Sequence, residues 1–230
     1  MRGRSGAMLQ IKDIRKTYVT GELVQTALDG VSLTLRDNEF VAILGPSGSG
    51  KTTLFHLMLG FFPPTGGEIR IDGTPLTPQS RASWHKLVGY VPQDIFIIHG
   101  SLAENIALGQ EHIDREKIRK VLQQVHLDAW AEALPEGIDT PLGEYGSRLS
   151  GGQKQRIGIA RALYKEAEVL FFDEATSALD NATESEITSA LEELSAHLHG
   201  ITLIIIAHRD SSLRFCDKII NIENYCSSTL

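Results

Sequence analysis

Cysteine is scarce in this sequence, and long uninterrupted apolar runs are missing from it. The only cysteines among the 230 residues are Cys216 and Cys226, and no His or Cys pairs show metal-ligand spacing. This excludes a disulfide framework and a zinc-binding module, and it predicts reduced thiols in a cytosolic protein. Apolar stretches such as 169–172 and 201–207 fall far short of the roughly 18 residues that a membrane-spanning helix needs. We therefore expect no direct membrane insertion.

An excess of basic charge is also missing. The chain has 22 Lys and Arg against 29 Asp and Glu, a net charge of −7. Binding to nucleic acid or to an anionic membrane surface is therefore not expected, although a local anion site remains open. Residues 1–8 lack the apolar segment of a secretory signal and are interpreted as a tag-like tail, the alternative being a natural disordered tail.

Short apolar runs of β type alternate with longer helical patterns, which is typical of an α/β fold with a mostly parallel sheet. Strands are predicted at 9–14, 31–35, 40–44, 68–71, 88–91, 169–172, 203–207 and 218–222. Helices are predicted at 51–59, 102–108, 115–125, 151–164 and 184–197. The segment 101–147 shows only helical patterns and loops. We predict an inserted helical lobe there, with the helix from residue 150 continuing from it, an α/β core of 9–100 and 148–224, and a tail of 225–230.

A glycine-rich turn follows the apolar run 40–44 and precedes a helical pattern. Its residues match the P-loop pattern G-x-x-x-x-G-K-[ST] in the strand–turn–helix context that this pattern requires. Glycines let backbone N–H groups approach phosphate oxygens, the Lys51 ammonium neutralises the outer phosphates, and Thr52 would supply a hydroxyl ligand to Mg²⁺. A purely structural turn is the alternative. The predicted ATP-binding residues are Gly45, Ser47, Gly48, Ser49, Gly50, Lys51, Thr52 and Thr53.

Two carboxylates, Asp173 and Glu174, come directly after the apolar run 169–172. This fits a Walker B element, in which Asp173 holds Mg²⁺ through its water shell and Glu174 polarises the attacking water as general base. A solvated acidic turn after a core strand is the alternative.

A second anion site is predicted where Ser150 and two glycines open a helix, because the helix N-terminus presents bare backbone donors. Here the run Leu149-Ser150-Gly151-Gly152-Gln153 resembles the signature motif of ABC ATPases, the nucleotide-binding domains of ATP-binding-cassette transporters. The resemblance implies a P-loop NTPase (RecA-like) core with an N-terminal antiparallel β part. It also implies an ATP-dependent head-to-tail homodimer, in which the signature residues of one protomer, Ser150, Gly151, Gly152 and Gln153, close over ATP held by the other.

Four more positions resemble functional positions of this family, each with a simpler alternative. Tyr18 is similar to the aromatic that stacks on adenine, or it is an ordinary strand residue. Gln93 is similar to the Q-loop glutamine, a ligand of Mg²⁺ or water, or it is a plain loop amide. Asp180 is similar to the D-loop aspartate at the dimer seam, or it caps a helix. His208 is similar to the histidine that contacts the γ-phosphate and orients Glu174, or it is a histidine after a strand without a functional role.

The family resemblance also separates subfamilies. Residues 140–146 and 101–106 resemble segments of ABC exporters that importer ATPases usually lack. Residues 18–29 instead resemble the stand-alone ATPases of macrolide-efflux and lipoprotein-release systems. The sequence is therefore interpreted either as a natural member of mixed character or as an engineered chimera with a junction around 52–66.

Two departures from the family pattern stand out. Asn38 occupies a turn position where the family commonly has Gly, and Asn is well tolerated at left-handed φ. Residues 225–230 end the chain where the family continues into further strand and helix, so we expect a truncated subunit.

Taken with the motifs, the resemblance predicts an ATP-binding and ATP-hydrolysing subunit of an ABC exporter that dimerises around two MgATP. A separate transmembrane domain would carry the transported substrate, and the subunit would lie at the cytoplasmic face of the membrane. The alternatives are an engineered or truncated cassette with little turnover and an ABC ATPase without a transport role.

Overall fold

The computed structural model describes residues 7–173, 189, 192, 200–207 and 216–225. The chain forms two compact units, one of residues 1–88 and 200–230 and the other of residues 89–199. The strands are β1 (Ala7–Thr20), β2 (Leu23–Arg36), β3 (Phe40–Leu44), β4 (Gly66–Ile71), β5 (Thr74–Pro75), β6 (Val88–Val91), β7 (Val169–Asp173), β8 (Thr202–Ile206) and β9 (Lys218–Asn221). The helices are α1 (Lys51–Met58), α2 (Arg81–Leu87), α3 (Leu102–Ile106), α4 (Arg115–Gln124), α5 (Asp128–Glu132) and α6 (Gly151–Tyr164). Across the described ranges, none of the helices is long and apolar enough to cross a membrane.

In the first unit, an antiparallel sheet has the strand order β2-β1-β4-β5. The second half of β2 alternates between buried and exposed residues, because one face of the sheet lies on the core. Strand β1 is irregular between Lys12 and Arg15, where Asp13 has a φ of 48°. Gly67 of β4 lies against this irregularity, and a Cβ at Gly67 would overlap the carbonyl oxygens of Lys12 and Asp13.

The same unit contains a parallel arrangement in which β3 lies between β8 and β9. Phe40 of β3 pairs with Leu203, and Ala42 pairs with Ile219. Strand β8 is buried along its whole length, as expected for a parallel strand that is covered on both faces. The chain leaves β3 at the carboxyl edge of these strands, so the loop 45–50 begins where ligands bind in open α/β sheets.

In the second unit, β6 and β7 are neighbours, and α3 and α4 pack against α6. Every residue of β7 is buried. A Cβ at Gly89 of β6 would lie 2.7 Å from the Ala162 Cβ of α6, so glycine allows the helix to approach the strand. Helix α3 begins with a capping box, in which the Glu104 N–H donates to Ser101 Oγ and the Ser101 N–H donates to the Glu104 carboxylate.

The predicted α/β class with a parallel and an antiparallel part is confirmed. Strands β3 and β6 and helix α6 have the predicted bounds. The first hairpin is longer than predicted, because β1 and β2 continue through exposed residues to a turn at Gly21 (φ 62°). The short helices α2 and α5 were not predicted, since each buries a single residue, Trp84 and Ala131, and shows no apolar stripe. The predicted helix 184–197 lies mostly outside the described residues.

Candidate functional site

The predicted P-loop has positive φ at three glycines, Gly45, Gly48 and Gly50, and at two of them a Cβ would also meet neighbouring atoms. Gly45 has a φ of 154°, and a Cβ there would lie 2.6 Å from Ile222 Cγ2. Gly50 has a φ of 88°, and a Cβ there would lie 2.6 Å from the carbonyl oxygen of Ala27 in β2. The loop is therefore pressed against β2 and against the segment after β9, and a side chain at either glycine would displace it.

Lys51 is the central charge of this loop. It opens α1 and is only 4% exposed. Its Nζ donates to the carbonyl oxygens of Gly45 at 2.6 Å and Pro46 at 2.9 Å. An ammonium group that is held by loop carbonyls can transfer its donors to phosphate oxygens when a nucleotide enters. Ser47 and Thr52 are exposed, and Thr53 is partly exposed, so hydroxyl groups border the loop on its open side.

Tyr18 lies on β1 in the same unit as the P-loop. It pairs with Gln25 of β2, two residues before the Ala27 carbonyl that Gly50 approaches. The Tyr18 side chain is exposed, and the Lys16 ammonium lies 5.3 Å from its ring centroid. Lys16 Nζ also donates to the carbonyl oxygen of Pro63 at 2.9 Å, which fixes the ammonium beside the ring. Tyr18 is thus an exposed aromatic on the strand pair that Gly50 approaches, and its role in stacking on adenine remains a prediction.

Asp173 ends β7 in the second unit and is 7% exposed. The Tyr90 hydroxyl of β6 donates to Asp173 Oδ2 at 3.2 Å. Burial and the nearby Asp173 carboxylate raise the pKa of Tyr90 far above its ordinary value, so the phenol keeps its proton and remains the donor. No pattern in the sequence indicates a role for this tyrosine, because Tyr90 and Asp173 are far apart in the chain.

Gln93 follows β6 in an irregular segment, and its side chain is exposed. Its backbone carbonyl accepts a hydrogen bond from Gln155 Nε2 of α6 at 2.7 Å. Thus the residue predicted as a ligand of Mg²⁺ or water is exposed, and its backbone carbonyl is bonded to α6. Hydroxyl, carboxylate and amide oxygens, which Thr52, Asp173 and Gln93 carry, are ligands of the kind that Mg²⁺ prefers.

The predicted second anion site is the N-terminus of α6. Ser150 is the N-cap residue, and a capping box joins it to Gln153: the Gln153 N–H donates to Ser150 Oγ at 3.2 Å, and the Ser150 N–H donates to Gln153 Oε1 at 2.9 Å. Gly151 is exposed and Gly152 is buried. The capping box fixes the entry of the chain into the helix, so the first-turn backbone donors have a defined direction.

The segment 140–146, which resembles an exporter segment, lies in the second unit beside the start of α3. The Leu142 N–H donates to the Gly100 carbonyl oxygen at 3.0 Å. Tyr145 has a φ of 52° and is exposed, as is Phe96, and the two ring centroids are 6.4 Å apart in an edge-to-face arrangement. The structure therefore presents an exposed aromatic pair that no motif of the sequence indicates.

Three predicted site residues, Glu174, Asp180 and His208, lie outside the described residues. Of the others, the P-loop residues and Tyr18 lie in the first unit. Gln93, Asp173 and the four residues of the α6 N-terminus lie in the second unit.

Comparisons with known proteins agree with the motifs. The family model described as ABC transporter matches residues 28–177. The chain is 42% identical over 218 residues to an ATP-dependent lipid A-core flippase of Ralstonia nicotianae, covering 92% of this chain and 36% of the relative. It is 46% identical over 216 residues to the protein of the same description in Saccharophagus degradans, covering 94% of this chain and 36% of the relative.

A solved structure is also similar, that of a bacterial Atm1-family ABC exporter with ATP bound. The TM-score is 0.82 and the sequence identity is 35%, and the match covers 93% of this chain and 37% of that chain. The chain thus spans a little over a third of the length of the relatives that it matches.

Proposed function

Because the chain belongs to the ABC transporter family, we propose that it is the part of an exporter that binds and hydrolyses ATP. The observation that carries the proposal is the P-loop, a glycine-rich cradle in which the buried Lys51 ammonium is held by the carbonyls of Gly45 and Pro46 and Gly50 lies close against the Ala27 carbonyl of β2. The matched solved structure is described as holding ATP. A triphosphate supplies the anionic oxygens that such a cradle is built to receive.

MgATP is the proposed form of the nucleotide. The Mg²⁺ ion neutralises phosphate charge when it is bound, and Thr52, Gln93 and Asp173 are the residues that would hold it or its water shell. Tyr90 orients the Asp173 carboxylate by its hydrogen bond. Tyr18 stacks on the adenine ring. Glu174 takes the proton of the attacking water, with His208 as its partner at the γ-phosphate.

The active form is a head-to-tail homodimer. One chain carries two anion sites, the P-loop at the start of α1 and the helix N-terminus at Ser150. In a twofold dimer, Ser150, Gly152 and Gln153 of one protomer close over the nucleotide held by Lys51 of the other, with Asp180 at the seam, and both sites form together.

Export also requires a transmembrane partner, and the flippase relatives are almost three times as long as the matched part. The exposed pair of Phe96 and Tyr145 offers an apolar contact for that partner on the second unit. The protein then acts at the cytoplasmic face of the membrane. The transported substrate is chosen by the transmembrane part.

Steady-state ATPase measurements test this proposal. Turnover should rise more than linearly with protein concentration, because a site that is completed in trans needs a dimer, and donors in trans can contribute about 10³–10⁵ in rate. A sharper experiment mixes two inactive variants, Lys51→Ala and Ser150→Arg. Their heterodimer has one site with both lesions and one intact site, so mixing should restore measurable activity. Activity that is strictly linear in concentration, with no restoration on mixing, would contradict the dimer.

A further inference from the structure

The segment between β6 and α3 has no regular secondary structure over residues 92–98, although it carries Gln93. Backbone groups in such a segment need partners from elsewhere in the fold. Helix α6 supplies one of them at the start of the segment. Gln155 is 6% exposed, and its Nε2 donates to the Gln93 carbonyl oxygen at 2.7 Å. This is the only side-chain hydrogen bond of Gln155 within the described part of the chain, where no donor reaches its Oε1.

Arg161 holds the other end of the segment from the same helix. Its guanidinium donates to the carbonyl oxygens of Phe96 and Asn105, both at 2.6 Å, and to Asn105 Oδ1 at 3.0 Å. The buried Asn105 side chain in turn accepts from the Ile98 N–H at 2.9 Å and donates to the Ile98 carbonyl at 3.2 Å. Burial lowers the pKa of Arg161 to about 10, which still leaves the guanidinium charged at neutral pH.

Between these two donors, Gly158 brings α6 close to the segment. A Cβ at Gly158 would lie 2.5 Å from Ile95 Cδ1 and 3.3 Å from Val91 Cγ1. Positions 155, 158 and 161 follow each other at intervals of three, so they form one stripe along the helix. The stripe contacts the segment at its start, its middle and its end.

We infer that Gln155 and Arg161 are positioning residues for Gln93, a role that rests on the proposed function. They fix the backbone on both sides of Ile95, and so they set the direction of the exposed Gln93 amide, the group that the proposed function assigns to MgATP. Without the Gln155 donor, the Gln93 carbonyl must turn to solvent to find a partner. This turn rotates the peptide group of Gln93 and therefore also moves the Gln93 side chain. The hydrogen bond therefore acts on the nucleotide site through the backbone of Gln93 and without touching the nucleotide.

The test replaces Gln155 with Met, which keeps the length of the side chain but has no donor. We expect kcat for ATP hydrolysis to fall about tenfold, on the scale of a lost buried hydrogen bond, with KM for ATP changed by less than about threefold. The gain in ATP affinity on adding Mg²⁺, measured by calorimetry in the Glu174→Gln background, should shrink by about fivefold or more. The matched control is Lys154→Met on the neighbouring, partly exposed position, which should behave as the unaltered protein does.

A double-mutant cycle separates positioning from a general loss of stability. In a Gln93→Ala background, Gln155→Met should change kcat by less than about twofold, because the group it positions is already gone. The inference would be overturned if the losses of kcat from the two substitutions multiplied in the double variant. It would also be overturned if Gln155→Met left both kcat and the Mg²⁺-dependent gain in ATP affinity unaltered.

Two further variants keep the test decisive if Gln155→Met does not fold. Gly158→Ala improves helix propensity while it pushes Ile95 away, and Arg161→Lys keeps the charge but loses the planar set of donors. Both should lower the Mg²⁺-dependent gain in ATP affinity, and an unchanged gain in both would refute the inference. If the unaltered protein binds MgATP but does not turn over, the proposed function fails, while the binding measurement still decides the role of Gln155.

Discussion

Replacing Lys51 with Ala is the most direct perturbation of the proposed ATP site. The ammonium is buried at the start of α1 and is held by the carbonyl oxygens of Gly45 and Pro46. If Lys51 stabilises the free protein, its loss should lower the free energy of unfolding. If it binds the triphosphate, its loss should lower the affinity for ATP. The variant therefore tests whether the lysine serves the fold or the nucleotide.

The expected loss of ATP affinity follows from the exchange of partners. A hydrogen bond to a charged group contributes about 1.5–3 kcal/mol. In the free protein Lys51 already has carbonyl partners, so binding gains only the difference between carbonyl and phosphate oxygens. We therefore expect about 1.5–3 kcal/mol for the whole side chain and not for each bond, which is about a 10- to 150-fold rise in Kd.

The expected effect on the free energy of unfolding is small. Pro46 is exposed and Gly45 is partly exposed, so the carbonyl groups that lose the ammonium can accept from water. Removal of a buried charge also relieves its desolvation cost. The two contributions oppose each other, and we expect the free energy of unfolding without nucleotide to change by less than about 1 kcal/mol.

Calorimetric titration with MgATP and thermal melting without nucleotide measure the two quantities on the same sample. The matched control is Lys12→Ala. Lys12 is an exposed lysine of β1 whose ammonium lies 3.9 Å from Glu68 Oε1, and its loss should leave ATP affinity unchanged. An unchanged Kd for Lys51→Ala would refute the ATP site. A large loss of stability with unchanged binding would show that the lysine is a structural residue.

Three other outcomes are expected. Glu174→Gln should lower turnover by about two to four orders of magnitude while ATP binding is retained. ATP should produce a dimer of this variant in sedimentation experiments. A variant that stays monomeric with ATP bound would contradict the dimer. Gly50→Ala should lower the free energy of unfolding by at least about 1 kcal/mol more than Gly73→Ala does. Both glycines have positive φ, but only a Cβ at Gly50 meets a carbonyl oxygen, at 2.6 Å. Equal losses in melting experiments would argue against this close approach. Burial and, to a lesser extent, the charge of Asp217 raise the pKa of Cys216 to about 11. In a Cys226→Ser protein at pH 8, we therefore expect Cys216 to be alkylated about 100-fold more slowly than an ordinary thiol. A rate near that of free cysteine would show that the thiol is not buried.

The parts of the site that depend on neighbouring residues in the chain could be predicted from the sequence. Strand β3, the loop after it and the start of α1 are indicated by an apolar run, by glycines and by Lys51, respectively. Each conformation requires a particular residue type, and that type is present at the position in question. The capping box of Ser150 and Gln153 follows a readable S-x-x-Q pattern that could also have been predicted.

Contacts between distant parts of the chain could not be predicted in this way. No local pattern pairs Tyr90 with Asp173 or Gln155 with Gln93, since these bonds depend on how β6, β7 and α6 pack. The full length of the first hairpin was missed for a related reason. Its outer residues are exposed, so they have no buried face and show no alternation that would mark them as strands.

The residues of α6 that face the segment after β6 are not those that would make this helix most stable. Glycine inside a helix costs about 1 kcal/mol relative to alanine, and the buried polar groups of Gln155 and Arg161 lose their hydration. Alanine or leucine at these three positions would favour the helix itself. They would also remove both donors and fill the space that Ile95 occupies. The stripe is therefore explained by the segment that it holds. The side of α6 positions Gln93, while the N-terminus of the same helix presents Ser150.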